Sequence, residues 1–185
     1  MKKAKYSDIH EELVDACRQG NRKAQFELYN RYYKAMYNTA LRITGDTAEA
    51  EDAMQEGFLN AFRKIETYRE EVSVGAWLKK IVVNRALDAV KNRKSFVDLD
   101  QVPEIAENDD ENDEYQGEFV IDEIKKALYN LPERDRVIVS LFLLEGYDHE
   151  EIAEIMGISY ASSRTQYHRA KKRLQKELQQ KRQTS

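Results

Sequence analysis

The sequence predicts an all-α chain of two small helical bundles joined by an acidic flexible linker, with a helix-turn-helix in the second bundle. Three observations carry this reading. Apolar residues recur at three- and four-residue spacing on both sides of residues 96–118. Only seven Gly and two Pro interrupt 185 residues, and the content of Ala, Glu, Lys, Leu and Arg favours helix. Residues 96–118 hold ten acidic residues and no Lys or Arg, a composition that buries too little apolar area to offset its ordering entropy.

The elements follow in order. A first helix covers about residues 7–19 and stops at Gly20. A second, about 22–44, places Phe26, Tyr29, Tyr33, Met36, Ala40 and Ile43 at helical spacing and stops at Gly45, a natural left-handed cap. Asp46 caps the third, with Glu49 three residues on, and Ala50, Ala53, Met54, Phe58, Ala61 and Phe62 share one face. After a polar loop at about 66–73, a fourth helix starts near Val74 and runs to about Lys94. Past the acidic stretch a helix covers about 119–130. Pro132 suits the first position of the next, which ends at Glu145 before Gly146. Asp148 caps a short helix ending before Gly157, and Ser159 caps the last, which runs to about Gln180.

Charge is segregated along the chain. The formal net charge is −4, yet outside residues 96–118 there are 30 basic and 24 acidic residues. Residues 164–182 hold eight Lys or Arg against one Glu, so the acidic total does not exclude a nucleic-acid surface. Cys17 is the only cysteine, which rules out an internal disulfide and suits a reducing cytoplasm. The N-terminal stretch is basic without an apolar core, unlike a signal peptide, and the near-apolar run Val137 to Leu144 is too short to span a bilayer. No catalytic constellation is visible. His10, His149 and His168 are far apart, no His, Cys and carboxylate set has metal spacing, and no Gly-rich phosphate loop exists, so neither cofactor nor metal is expected.

The strongest local signal is HEEIAEIMGISYASSRTQYHR, residues 149–169. Ile152 and Met156 face inward, Ala153 lets a second helix approach, Gly157 takes the turn and Ile158 plugs the gap. The last helix then presents Arg164, Thr165, His168 and Arg169 along one face, with Lys171, Lys172 and Arg173 extending the positive field. A small-residue turn between helices also occurs in bundles that bind nothing, and a basic stripe is also an ordinary solvated face. Turn and stripe together favour DNA.

Residues 131–178, LPERDRVIVSLFLLEGYDHEEIAEIMGISYASSRTQYHRAKKRLQKEL, resemble the C-terminal domain of the bacterial sigma-70 family, which reads the upstream (minus-35) promoter element. Residues 48–69, AEAEDAMQEGFLNAFRKIETYR, resemble the core-binding helix of that family, and residues 77–94, WLKKIVVNRALDAVKNRK, the helix after its promoter-melting loop. The order and the coverage point to its extracytoplasmic-function group of RNA polymerase sigma factors. The resemblance implies region 2 at 1–95, an acidic linker at 96–118 and region 4 at 119–185. It departs from the family at Glu70, Val74 and Gly75, where a Gly, an aromatic and a basic or polar residue are common, and at Ser163, where Val or Ile is usual.

Three sites are implied. Asp52, Gln55, Glu56 and Phe58 face the clamp helices of core RNA polymerase. An alternative reading makes Asp52 and Glu56 a solvated pair, though two like charges four residues apart cost helix stability. Tyr68, Arg69, Ser73, Trp77, Lys80, Asn84 and Arg85 face unstacked bases of the downstream (minus-10) element; Trp77, the only tryptophan, reads more readily as core. Ser159, Arg164, Thr165, His168, Arg169 and Lys172 face the minus-35 element. The implied protein is not an enzyme: it is a cytoplasmic initiation factor, a monomer when free, with core polymerase and promoter DNA as partners and an anti-sigma protein as a further partner of its family. The acidic linker is either a nucleic-acid mimic or a solubilising spacer. The competing reading is a stand-alone helix-turn-helix regulator binding duplex DNA as a dimer.

Overall fold

The computed structural model describes residues 11–93 and 121–183. The acidic stretch 96–118 and the start of the first predicted helix lie outside the described residues. Within them the chain is all-α: eight α-helices and no strand. The chain divides into two compact units, 1–92 and 93–185.

In the first unit α1 spans Glu11–Arg18, α2 Arg22–Thr44, α3 Thr47–Arg63 and α4 Val74–Lys91, with a 3-10 turn at Ile65–Thr67. Local chemistry fixes the boundaries. The Asn21 side chain accepts from the backbone N–H of Lys23 and Ala24, which starts α2. Gly45, at φ 70°, ends it in the left-handed conformation, and its N–H returns to the Leu41 carbonyl. Asp46 accepts from Glu49 N at 2.9 Å to start α3. Ser73 accepts from Ala76 N at 3.2 Å to start α4.

Helices α2, α3 and α4 pack against one another around Leu28, Ile43, Leu78, Val82 and Leu87, all essentially solvent-free. Each such side chain contributes ~1.5–3 kcal/mol of burial free energy. The inward face of α2 is offset from the sequence reading. Leu28 is buried, whereas Phe26 is 66% exposed. Both sit at helical spacing from Met36, so periodicity alone does not choose between them. Where α3 meets α4, Gly57 lies so close that a Cβ there would sit 2.6 Å from Val82 Cγ2, so the crossing needs a residue with no side chain.

In the second unit α5 spans Ile121–Tyr129, α6 Glu133–Val139, α7 His149–Met156 and α8 Tyr160–Gln183. Pro132 is the residue before the first turn of α6 rather than its first position. The helix expected to run to Glu145 changes character: Ser140–Leu144 form a π-helical turn, with Glu145 N donating to the Ser140 carbonyl at 3.0 Å. Asp148 and Glu151 form a reciprocal capping box at the start of α7. Gly157 ends α7 at φ 69°, and Ser159 Oγ accepts from Ser162 N at 3.0 Å to start α8. Helices α5, α6 and α7 all pack on α8, whose inward residues are Ser163, Tyr167, Ala170, Leu174 and Leu178.

Candidate functional site

Three surfaces hold the residues that the sequence singles out. On α3, Asp52, Gln55 and Glu56 are exposed, and helical spacing puts them on one stripe with Leu59, which is 55% exposed. Gln55 Nε2 donates to Glu51 Oε1 at 3.2 Å. The sequence places Phe58 on this stripe; the structure does not. Phe58 is 2% exposed, its ring 4.8 Å from that of Tyr29, and it serves the bundle core. The exposed apolar residue of the stripe is its neighbour Leu59. The sequence signal for it was available, because 59 is seven residues from 52, two full turns on, whereas 58 is four from Met54 and shares that residue's inward face.

The second surface is the loop between α3 and α4 with the start of α4. Tyr68 does not face outward as a base wall. It is 3% exposed, its hydroxyl donates to the Val72 carbonyl at 2.6 Å, and its ring lies 5.3 Å from that of Trp77. Tyr68 therefore supports the loop from beneath. Trp77 is half-buried against the same cluster, which includes Val14, Cys17 and Val74, and so packs as the core reading has it. Arg69 is exposed at the loop, and Lys80 and Asn84 are exposed one and two turns along α4 from Trp77. Ser73 spends its hydroxyl on the α4 cap. Arg85 is half-buried; its Nη1 lies 3.5 Å from Asp88 Oδ2. With the Asn60 amide turned to satisfy both groups, Arg85 Nε also donates to its oxygen at 2.9 Å.

Glu70 holds φ 60°, a left-handed conformation that costs a side-chain-bearing residue roughly 1–2 kcal/mol. It is 9% exposed and paired with Arg18 of α1 at 3.0 Å. Burial alone would lower the Arg18 pKa, but its hydrogen bonds to Glu70 and Asp15 outweigh that and hold it above the ordinary value. Sequence reasoning missed this pair because 52 residues separate its members.

The third surface is α8. Arg164, Thr165, His168 and Arg169 are partly exposed and Lys172 is exposed, opposite the buried stripe 163–167–170–174–178. Ser159 is exposed but uses its hydroxyl as the cap. Lower on the helix Arg173 pairs with Asp135 of α6. Behind the basic face, Ser163 is solvent-free and its Oγ lies 3.0 Å from His149 Nδ1. The imidazole stacks on Phe142 at 4.5 Å and lies 5.4 Å from Tyr167. Burial, then electrostatic repulsion from Arg164 and His168, pushes its pKa down. The serine in place of an aliphatic residue is thus matched by a polar partner on the facing helix.

Residues 28–96 match the family described as sigma-70 region 2, and residues 121–174 match sigma-70, region 4. The chain is 31% identical over 180 residues to the ECF RNA polymerase sigma-E factor of Haemophilus influenzae, covering 90% of this chain and 94% of that protein. The chain belongs to the extracytoplasmic-function sigma factors. A second such sigma factor, SigM of Mycobacterium tuberculosis, is 31% identical over 88% of this chain and 81% of its own length. SigE of Mycolicibacterium smegmatis is 31% identical over 80% of this chain, and the chain spans 59% of that longer sigma factor. Among solved structures, the sigma factor RpoE from Bartonella quintana, in complex with the anti-sigma factor NepR, superposes with a TM-score of 0.54 at 25% identity over 83% of this chain and 95% of that one. CnrH, in complex with the cytosolic domain of CnrY, shares the fold at a TM-score of 0.53 and 20% identity, over 91% of this chain and 96% of that one. Like these relatives, the chain is an RNA polymerase sigma factor. No described helix of it is long and apolar enough to cross a membrane.

Proposed function

We propose that this sigma factor docks on core polymerase through the α3 stripe, captures opened minus-10 bases at the 68–73 loop and the start of α4, and reads the minus-35 element with α8. The observation that carries the reading is the opposite chemistry of two outward helix faces. The α3 stripe joins three acidic or amide side chains to an exposed Leu59, a surface suited to a protein helix bearing Arg. The α8 face is basic, suited to the major groove and its phosphates.

The division of labour follows from these chemistries. Leu59 supplies exposed apolar area at the end of a polar stripe, where a partner helix can bury it. Arg69, Lys80 and Asn84 line the melted strand, while Tyr68 and Trp77 fix the platform beneath them. Arg164 and Arg169 pair with base edges or phosphates, and Thr165, His168 and Lys172 complete the contact. Joining two moderate DNA contacts in one chain raises the effective concentration of each. The protein is a cytoplasmic non-enzymatic factor, and polymerase supplies the chemistry. A protein of the anti-sigma class is its natural inhibitor, as NepR partners the similar RpoE. The match to sigma-70 region 2 across residues 28–96 disfavours the stand-alone dimeric regulator, which needs no such domain.

The test is run-off transcription with purified core polymerase and a promoter library. Start sites that depend on the added protein are the expected result. No new start sites, together with no core binding in a pull-down, would overturn the reading.

A further inference from the structure

Helix α1, Glu11–Arg18, precedes the segment that matches region 2, residues 28–96, yet its last residue reaches into the loop between α3 and α4. Arg18 Nη2 donates to the Tyr68 carbonyl at 2.7 Å. Arg18 Nη1 donates to Glu70 Oε1 at 3.0 Å and to Asp15 Oδ1 at 2.8 Å. The guanidinium also lies 5.9 Å from the centre of the Tyr68 ring. One side chain therefore holds the residue on each side of Arg69, and Arg69 itself is exposed.

The geometry of the clamp has consequences. Glu70 is in the left-handed conformation, which a side-chain-bearing residue adopts at a cost, so something must hold it there. The Arg18–Glu70 pair is mostly shielded, with side-chain exposures of 22% and 11%, so water and salt screen it weakly. A guanidinium has the planar, multi-donor fork to bond a carbonyl and a carboxylate at once, which an ammonium cannot reproduce with the same geometry. From below, Tyr68 is tied to Val72 by its hydroxyl. The loop backbone is thus pinned at 68 and 70 from α1 and at 72 by its own tyrosine. Arg69 is the side chain projected from between the pins.

We propose that Arg18 is a positioning residue for the 68–73 loop: by clamping Tyr68 and Glu70 it presents Arg69 to the melted strand before DNA arrives. This rests on the reading of that loop as the minus-10 contact. Pre-ordering the loop removes an entropy cost from base capture, so its loss weakens binding without changing what touches DNA.

The experiment uses the full chain bound to core polymerase. It compares wild type with R18A, R18K, E70G and R69A. Three quantities are measured: amide hydrogen exchange at residues 69–73, affinity for core polymerase, and affinity of the holoenzyme for a fluorescent single-stranded oligonucleotide carrying the minus-10 element recovered by run-off selection. In R18A and E70G the loop amides should exchange faster and oligonucleotide affinity should fall about tenfold, with core affinity unchanged. R18K should retain part of the effect, having charge without the fork. E70G leaves α1 untouched and relieves the left-handed backbone, so it decides the matter if R18A does not fold. Unchanged exchange and unchanged oligonucleotide affinity in both R18A and E70G, with R69A impaired, would overturn the proposal alone. An R69A holoenzyme with wild-type oligonucleotide affinity would overturn the minus-10 reading, whatever the exchange data show. Equal losses of core and oligonucleotide affinity in R18A and E70G would make the clamp merely structural, and the proposal would fall.

Discussion

His149 at the start of α7 and Ser163 in the first turns of α8 meet at 3.0 Å inside the helix-turn-helix, and that polar contact stands where two helices otherwise pack through apolar groups. A buried donor or acceptor left without its partner costs more than the hydrogen bond itself contributes. The pair is therefore coupled. S163V should destabilise the second unit by about 0.5–1.5 kcal/mol by taking the partner from a half-buried imidazole nitrogen. The double variant H149F/S163V should recover much of that loss. A double-mutant cycle in urea unfolding reads the coupling, and additive effects of the two changes would count against it.

The same imidazole makes stability depend on pH. Its folded pKa lies below the ordinary value because burial, then Arg164 and His168, oppose the charged form, with Asp148 acting in the other direction. The helix-turn-helix should be fully stable above the unfolded imidazole value of about 6.5 and lose stability as pH falls through it toward the lower folded value. Denaturant midpoints for the second unit between pH 8 and pH 5 test this. H149F should flatten the lower part of the curve, and an unchanged slope would assign the titration elsewhere.

Neighbouring residues on α3 should behave oppositely. F58A removes a buried ring packed on Tyr29 and should cost about 3–5 kcal/mol of stability. L59A changes an exposed side chain and should cost under about 0.5 kcal/mol of stability while weakening core binding. Thermal unfolding and a core-binding titration on the same two proteins separate the roles.

Gly57 offers a test of packing that involves no functional group. In G57A the new methyl meets Val82 Cγ2 at 2.6 Å and the Val82 backbone at 3.3 Å, so α3 and α4 must move apart. The expected cost is about 1–3 kcal/mol despite the better helix propensity of Ala. A G57A/V82A pair should recover part of it, read as a rise in Tm over the single variant.

On α8, R164A and R169A should weaken promoter binding. Where the Arg pairs with a phosphate, the slope of log affinity against log salt should drop by about one on its removal. An Arg that instead reads a base should relax sequence preference by about 1–3 kcal/mol with less change in slope. Affinity titrations at several salt concentrations, on matched and mismatched sites, distinguish the two.

Much of this architecture was legible in the residues because its signals are local. Asp46, Asp148 and Ser159, and Gly45 and Gly157, act within a turn of themselves, and each terminates or starts a helix as its chemistry dictates. What escaped reading depends on phase or on distance. Phe26 and Leu28 both fit a helical rhythm, and only the neighbouring helices decide that Leu28 goes inside. Tyr68 has the residue type of a base-stacking wall, but its burial is set by Trp77 and by Val14 and Cys17 of α1. The Arg18–Glu70 pair joins elements 52 residues apart, and the His149–Ser163 pair, though both residues stand within 149–169, depends on how two helices pack across the turn, which spacing alone does not give. The π-helical turn at Ser140–Leu144 left no mark in an apolar run that suits any helix.

Trp77 is the only tryptophan in the chain, and it rests against Tyr68 directly beneath the loop between α3 and α4. Its indole is thus an intrinsic fluorophore seated under the loop proposed for minus-10 capture. The light it emits will follow that loop through melting, clamping and strand capture, with no label added and no second indole in the chain to confuse the signal.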